Sequence, residues 1–426
     1  MDRDILVSLI NNNWAESVLL MQNIIKAFPQ YENVNGLEKT ALLIEEYLSK
    51  SGIDYHEIIY TNTTFDTHKL YVKVEEFGLA FANDKNIKKK NIVAIIEGKQ
   101  PGKTLILNGH FDVDCVSTPE QWVEDNGWRS AKIKDGFLYG RGATDMVGGL
   151  CSLLLITRIF YQNRNKWNGR IILTAVCDEE IGGNSTLKTL LWLEEKSLIK
   201  KNSTFALISE PSSNLVCYES LGFFHLKMTA IRQTLHMGVA TPKNNALNDI
   251  INVLSNFSDI IKKVCYKIDR GNQYEKVIYN WGIISGGQDA AIPLGSVIIK
   301  GVVFLPESIN DNNFQQILLE EVDQITENAV KIEFSSFKFN GAISEENPLG
   351  EILLNAKFFP EYYKVSQGLF PSPCDARLFK AFSIPVTIYG PGYLAQAHAI
   401  NEYVDLKNVR QYTEHTLLSL WYLMND

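Results

Sequence analysis

The stretch "GRIILTAVCDEEIGG", residues 169–183, joins an apolar run to two adjacent glutamates and a glycine pair. The short run of β-branched and apolar residues predicts a buried strand, and Glu179 and Glu180 follow at its end. Most Glu-Glu pairs are solvated loop residues, because neighbouring like charges are costly elsewhere. The functional alternative is that one carboxylate holds a metal ion while its neighbour moves a proton. That alternative requires metal ligands elsewhere in the chain.

Strand-like and helix-like runs alternate on both sides of this stretch. The strand-like runs are 91–98, 104–113 and 204–211, and the helix-like runs are 36–52, 148–163 and 185–197. Such alternation is typical of an α/β domain. We therefore expect a mixed, largely parallel sheet with flanking helices.

The pattern changes at about residue 222 and returns after about residue 345. Between them, strands are predicted at 222–231, 276–284, 296–305 and 330–337, and helices at 244–263 and 309–327. This β-α-β-β-α-β order is that of a small split-βαβ unit. A strand at 384–392 and a helix at 405–424 then resume the first pattern. The predicted organisation is one α/β domain, residues 1–221 and 337–426, interrupted by a smaller α+β domain, residues 222–336.

Composition limits the class of protein. Of 426 residues, 45% are hydrophobic and 21% are charged, as in a soluble globular protein. The net charge is −8, and the basic run "KNIKKK", residues 85–90, is expected to cap a surface loop, so no nucleic-acid partner is predicted. The six cysteines lack CxxC spacing and are interpreted as reduced, buried thiols of a cytoplasmic protein. The first residues lack signal-peptide features, and no apolar stretch is expected to span a membrane.

Histidines and carboxylates recur at the ends of predicted strands, where open α/β sheets place their sites. His110 and Asp112 end "LILNGHFDVD", and their spacing on a strand puts both side chains on one face. Asp145 lies in a glycine-rich turn, Glu210 ends "LISEP", and His398 lies in "AHAINEYVDL". Imidazole and carboxylate ligands suit zinc, with cobalt or manganese as substitutes.

Each of these residues also has an ordinary structural interpretation. Asp145 alone could cap the following helix. A lone histidine is more often structural or on the surface, and this is what we expect of His56, His68, His225 and His415.

Taken in order, six segments resemble one family. "GHFDVD", "YGRGATDM", "CDEEIGG", "SEP", "CDARLF" and "GPGYLAQAHAINEYV" are similar to the motifs of the acetylornithine deacetylase / succinyl-diaminopimelate desuccinylase family of di-zinc metallopeptidases and N-acyl amino acid deacylases. The likeness runs across nearly the whole chain. It implies a zinc-peptidase-like catalytic domain, an inserted lid or dimerisation domain, a small amino-acid-like substrate and a homodimer through the lid.

The resemblance also implies roles for matching positions. One zinc ion would be held by His110 and Glu210, a second by Glu180 and His398, with Asp145 bridging the two. Glu179 would take a proton from the attacking water and return it to the leaving amine. Asp112 would orient His110.

The implied substrate contacts lie further along the chain. Arg377 in "SPCDARLF" would grip a substrate carboxylate, with an internal salt bridge to Asp375 as the alternative. Gly392 would lie beside the substrate. His236 would stabilise the oxyanion, often from a partner subunit. Cys177 and Cys374 are interpreted as packing residues.

Three lid positions depart from the family pattern, which predicts an altered lid surface. Arg232 replaces a glycine, Ala290 an asparagine, and Val303 an arginine. Two other functions stay open. One is a di-metal dipeptidase or aminopeptidase, and the other is a non-catalytic metal-binding scaffold, which would need neither Glu179 nor Asp112.

Overall fold

The computed structural model describes residues 1–77, 79–80, 86–123 and 127–425. The helices in these residues are α1 (Arg3–Ala27), α2 (Val34–Lys50), α3 (Gly148–Gln162), α4 (Asn184–Glu195), α5 (Ala246–Lys267), α6 (Asp311–Thr326), α7 (Pro348–Leu353), α8 (Ala376–Ala381) and α9 (Leu406–Leu423). The strands are β1 (Tyr55–Tyr60), β2 (Glu75–Glu76), β3 (Leu79–Ala80), β4 (Lys89–Glu97), β5 (Thr104–His110), β6 (Ile133–Lys134), β7 (Phe137–Tyr139), β8 (Arg170–Val176), β9 (Thr204–Ile208), β10 (Leu215–Ser220), β11 (Gly222–Ile231), β12 (Ile278–Gly286), β13 (Ser296–Leu305), β14 (Val330–Phe339), β15 (Ala342–Ile343), β16 (Ser366–Phe370), β17 (Val386–Ile388) and β18 (Tyr403–Asp405).

The larger sheet has the strand order β1-β4-β8-β5-β9-β17-β10-β15, with β16 beside β10. Its centre, β8-β5-β9-β17, is parallel, whereas β4 runs antiparallel to β1 and β8. Helices α1, α2, α3 and α9 cover one face, and α4 and α8 cover the other. Every residue of β5 is therefore buried, which explains why three apolar residues, 105–107, follow one another without alternation. The predicted mixed, largely parallel α/β sheet is confirmed.

Helix α3 and the turn before it form the most apolar segment. By length and composition residues 143–162 could cross a membrane, contrary to the expectation from sequence, but 94% of the tested window is buried inside the fold. The helix packs against α1, α9 and β5. A helix that is apolar all round is typical of a protein core.

A second sheet has the order β12-β13-β11-β14 and is antiparallel throughout. Helices α5 and α6 cover one face and form a separate apolar core with it, giving the predicted β-α-β-β-α-β order. Along β11, Phe224 and Leu226 enter that core, while Phe223 and His225 point to the opposite face, as strand alternation requires. The last strand of this unit runs to Phe339.

Two expectations about individual residues were wrong. Within "KNIKKK", Lys89 opens β4 rather than lying in a surface loop, and its ammonium forms a buried ion pair with Asp178 at 2.8 Å. Lys85 lies outside the described residues. All six cysteines are free, but Cys115 is exposed, whereas the other five are buried.

Candidate metal centre

The register of the parallel strands brings the predicted ligands to one edge of the sheet. His110 pairs with Val176 across β5 and β8, and Asn108 pairs with Ile208 across β5 and β9. The segments that follow β8 and β9, which carry Glu179, Glu180 and Glu210, therefore emerge beside His110. This is the edge at which open α/β sheets hold their ligands.

Asp145 lies between two histidines that are far apart in sequence. Its Oδ1 is 3.1 Å from His110 Nε2, and its Oδ2 is 3.3 Å from His398 Nε2. Each carboxylate oxygen thus faces a different imidazole. A carboxylate in this position can serve two neighbouring sites at once.

Two groups of potential ligand atoms lie at this edge of the sheet, and Asp145 belongs to one of them. The atoms of His110, Glu179 and Glu210 are within 4.8 Å of one another, and so are those of Asp145, Glu180 and His398. Glu210 Oε1 is buried and lacks a hydrogen-bond partner among the described atoms. An orphaned carboxylate oxygen of this kind is costly unless a cation or proton satisfies it. The donor set and the orphaned oxygen both fit zinc.

The turn that carries both glutamates is held by Asp112. Its two carboxylate oxygens accept hydrogen bonds from the backbone N–H groups of Glu179 (3.1 Å) and Glu180 (3.0 Å). His110 Nδ1 lies 2.9 Å from the backbone carbonyl of Asp112 and 3.5 Å from its carboxylate. The Asp112 carboxylate therefore fixes the direction of the glutamates, and the backbone carbonyl beside it is the nearer partner of His110.

A buried ion pair, absent from the sequence-based predictions, supports the other side. Arg141 Nη1 lies 2.9 Å from Glu402 Oε2. Glu402 Oε1 accepts from the backbone N–H groups of Thr144 and Asp145, and Arg141 Nη2 donates to the carbonyl of His398. This pair thus holds the backbone of two candidate ligands. Its signal in the sequence is a charged residue inside each of two motifs, "YGRGATDM" and "HAINEYV".

Asp114 is a second contact that the sequence analysis missed. Its Oδ2 lies 3.2 Å from His398 Nδ1, and its backbone N–H donates to Glu180 Oε1 at 3.0 Å. A carboxylate on the far nitrogen of a ligating histidine fixes the ring's orientation and tautomer. The signal was the second acid of "GHFDVD".

The acids at this edge are too crowded to ionise freely. Burial and the charge of Glu210 raise the pKa of Glu179 well above its usual value. Burial and the Asp145 charge, opposed by His398, raise that of Glu180 to about 7. Divalent cations would offset this repulsion and restore the ionised forms.

A cavity of about 450 Å³ opens in front of these ligands and reaches the four-stranded sheet β12-β13-β11-β14. Among the residues that line it are five of the predicted site residues, Asp145, Glu179, Glu180, Glu210 and His398. His110 and Asp112 lie buried beneath them. Arg377, Gly392 and His236 are not among the described lining residues.

The three remaining site candidates, Arg377, Gly392 and His236, lie in other surroundings than the cavity lining. Arg377 is half-buried and donates from Nη2 to the carbonyl of Gly182 at 2.6 Å. It forms no ion pair with Asp375 within the described part of the chain, and Asp375 instead accepts from Thr186. Gly392, at φ +89°, donates to Asn408 and backs the turn before Asp145. His236 is exposed on the lid.

The face of the four-stranded sheet that meets the cavity carries His225 and Val302. His225, expected to be structural or on the surface, lines the cavity 3.8 Å from Glu76. Val303 is buried in the core of the lid, and it is Val302 that reaches the cavity. The departure at Val303 therefore lies in an apolar core, whereas the sequence analysis expected it to alter the surface. Arg232 donates from Nε and Nη2 to the two carboxylate oxygens of Asp249, and Ala290 is exposed.

The other histidines stay outside the cavity. His415 is buried beside Tyr389 Oη, and burial lowers its pKa to about 3, as befits a neutral structural imidazole. His56 packs against Trp192 on the surface of β1.

The chain is similar in sequence to known proteins. The model of peptidase family M20/M25/M40 matches residues 106–420. The chain is 25% identical over 354 residues to N-formyl-4-amino-5-aminomethyl-2-methylpyrimidine deformylase of Bacillus subtilis, covering 76% of this chain and 80% of the relative. It is 26% identical over 354 residues to a probable succinyl-diaminopimelate desuccinylase of Staphylococcus aureus, covering 75% and 83%.

Solved structures show the same fold. The dipeptidase Dug1p of Saccharomyces cerevisiae superposes with a TM-score of 0.74 at 14% identity, covering 99% of this chain and 98% of the other. The metallo-carboxypeptidase Sso-CP2 of Sulfolobus solfataricus gives 0.68 at 17% identity, covering 96% and 99%.

Proposed function

The chain belongs to the peptidase family M20/M25/M40, a family of metal-dependent hydrolases of amide bonds, and from this premise we propose that it removes an N-acyl group from a small amino-acid-like amine. The resemblance inferred from the sequence is thereby confirmed. The proposed cofactors are two Zn²⁺ ions, with Co²⁺ or Mn²⁺ as substitutes. The names of two relatives, a deformylase and a desuccinylase, support removal of a small acyl group.

The placement of Asp145 between His110 and His398 is the observation that carries the proposal. His110 and Glu210 would hold one zinc ion, Glu180 and His398 the other, and Asp145 would contact both. Zinc held there would polarise the amide carbonyl and lower the pKa of a water molecule.

Glu179 is the proposed general base and acid. It lines the cavity and is half-buried, and its backbone N–H is held by Asp112. It would take the proton of the water whose oxygen attacks the amide carbon, and return it to the nitrogen as the C–N bond breaks. Glu180 points instead towards Asp114 and His398. The two adjacent glutamates thus differ in task because they point to different partners.

The lid supplies a further part of the proposal. We propose that residues 222–336 act as a lid over the cavity, and that two chains pair through it. Exposed apolar side chains lie on this unit, which a partner would cover: Ile231, Leu235, Met237, Val239, Ile283 and Ile284. His236 lies in the same exposed segment and would reach the site of the partner subunit to stabilise the oxyanion.

The six free cysteines support a place in the cytoplasm.

The direct test is a hydrolysis panel with metal-stripped protein reloaded with zinc, cobalt or manganese. N-formyl, N-acetyl and N-succinyl amines are compared with dipeptides, and Glu179→Gln serves as the inactive control. The proposal expects metal-restored deacylation that exceeds dipeptide hydrolysis. A folded, zinc-binding protein that hydrolyses none of the amides would instead be a scaffold.

The cross-subunit role of His236 has its own test. His236→Ala should lose turnover at unchanged metal content, and mixing it with Glu179→Gln should restore activity if each histidine serves the other subunit. A monomeric, fully active His236→Ala protein would contradict this role.

A further inference from the structure

One wall of the cavity is aromatic. It combines side chains from β11, β13, β14 and β16, namely Phe223, Phe304, Phe337, Phe339 and Phe370. Phe223 packs edge-on against Phe337 and Phe339 with ring centroids 5.0 and 4.6 Å apart. Such a wall favours an apolar or aromatic group, because burying each ring face against another removes apolar area from water.

This aromatic wall offers little to an anion. Among the described residues that line the cavity there is no lysine or arginine. Glu76 stands at the lid side of the wall with His225 beside it. Burial lowers the pKa of His225, so this imidazole is neutral at pH 7. The Lys300 ammonium lies 3.9 Å from the Glu76 carboxylate and is paired with it. A substrate carboxylate placed here would therefore be desolvated beside Glu76, without an unpaired cation among the described lining residues.

Arg377 is the nearest guanidinium, and Phe339 covers it. The Cζ atom of Arg377 stands 4.2 Å from the centroid of the Phe339 ring. Phe339 lines the cavity, whereas Arg377 is not among the described lining residues, so the ring rather than the guanidinium forms the wall at this place. The Nη2 atom of Arg377 is engaged by the Gly182 carbonyl, while its Nε is buried without a partner among the described atoms. The guanidinium therefore keeps an unused donor behind the ring.

We infer that the enzyme selects N-acyl substrates whose amine part is aromatic or apolar and carries no free carboxylate, and that Phe339 sets this preference by keeping Arg377 from the substrate. The inference rests on the proposed deacylase function and replaces the carboxylate-gripping role expected of Arg377. It makes Phe339 a specificity-determining residue that contacts the substrate.

The first test uses two probes that differ by one carboxylate, N-acyl-2-phenylethylamine and N-acyl-L-phenylalanine, prepared as a formyl series and an acetyl series. The zinc-loaded enzyme should prefer the carboxyl-free member by about tenfold or more in kcat/KM, the cost of one unpaired buried polar group. Equal rates, or a preference for the acid, would overturn the inference.

The second test uncovers the arginine. Phe339→Ala should shift the ratio of the two kcat/KM values towards the acid by about tenfold, because a guanidinium–carboxylate hydrogen bond becomes available. Phe337→Ala is the matched control: it removes a ring from the same strand and the same wall, but one that does not cover Arg377. It should lower both rates and leave their ratio unchanged.

Adding Arg377→Met to Phe339→Ala should remove the gain for the acid. Thermal melting of each variant identifies any that fails to fold, and the ratio within one preparation is independent of its active fraction. The inference is wrong if Phe337→Ala and Phe339→Ala shift the ratio equally, or if the gain survives in the double variant.

A binding measurement separates this inference from the proposed function. Zinc-loaded Glu179→Gln protein is titrated calorimetrically with both probes. Tighter binding of the phenylethylamide without hydrolysis by the unmodified enzyme would support the pocket and reject the deacylase function. Hydrolysis accompanied by tighter binding of N-acyl-L-phenylalanine would support the deacylase function and reject the proposed pocket.

Discussion

The two ends of the cavity are built by opposite physical means. At the sheet edge, side chains are charged and are supported by buried hydrogen bonds, as with Asp112 beneath the glutamates and Glu402 beneath Asp145. At the lid, the wall consists of phenylalanine rings held by packing. The first end is rigid because buried polar groups demand partners. The second end tolerates repacking, because apolar contacts lack direction. Chemistry is therefore expected to depend on the first end and substrate choice on the second.

The largest expected effect lies at the charged end. Glu179→Gln should keep bound metal and lower kcat by about 10²–10⁴-fold, because an amide cannot accept the proton. Steady-state kinetics and metal analysis on the same preparation measure both quantities. Glu195→Gln, on the exposed surface of α4, is the control and should leave both unchanged. Near-normal turnover by Glu179→Gln would remove the proposed division between the two glutamates.

The buried ion pair of Lys89 with Asp178, the residue before Glu179, is expected to contribute strongly to the free energy of unfolding. Lys89→Met leaves Asp178 buried without its ammonium, and should lower the free energy of unfolding by about 3–5 kcal/mol. Chemical denaturation measures this loss. Lys196→Met on the surface should change it by less than about 0.5 kcal/mol. Similar losses in both variants would contradict the importance given to the buried pair.

The support that Glu402 gives to Asp145 should be measurable as zinc affinity. Glu402→Gln weakens the contacts to Thr144 and Asp145, and should reduce zinc affinity by about 10–100-fold. Competition with a chromophoric chelator measures the change. Glu97→Gln, whose partner Arg170 lies on the surface, is the matched control and should bind zinc as before. Unchanged affinity in Glu402→Gln would show that the turn holds its shape alone.

The smallest effect is expected where the lid meets the larger domain. The ring of Phe77 lies 5.4 Å from Lys227 Nζ and 5.1 Å from Lys300 Nζ, both on the lid sheet. Phe77→Ala should weaken this contact by about 1–2 kcal/mol, from two cation–π interactions. Hydrogen exchange of β11 and β13 should quicken, and Lys227→Met should give roughly half the effect. Unchanged exchange in Phe77→Ala would mean that the contact does not hold the lid.

The sequence predicted the charged end better than the apolar one. Strand ends and motif order located His110, Asp145 and His398, since a ligand type at a strand end has few other uses. Their partners Arg141 and Glu402 were missed, because a single sequence does not reveal which charges meet across 261 residues. On the lid, Val303 was expected to alter the surface but is buried, and its neighbour Val302 lines the cavity, because a shift of one residue reverses the face of a strand. The alternation of side chains along β11 could have shown that His225 lies on the same face as Phe223.

The same contrast holds for the fold. Strands β11 and β13 were predicted to the residue, because their alternation is regular and turns flank them. Helix α1 was not predicted, since the run of asparagines at 11–13 interrupts its apolar pattern. Packing of Ile10, Met21 and Ile24 into the core compensates for that interruption.

The central claim is that Asp145 joins two metal sites, and anomalous scattering from zinc-loaded crystals tests it most directly. The structure predicts two zinc peaks, one beside His110 and Glu210 and the other beside Glu180 and His398, with a carboxylate oxygen of Asp145 on each. Zinc bound elsewhere in a fully loaded crystal, with these side chains free of metal, would contradict the claim.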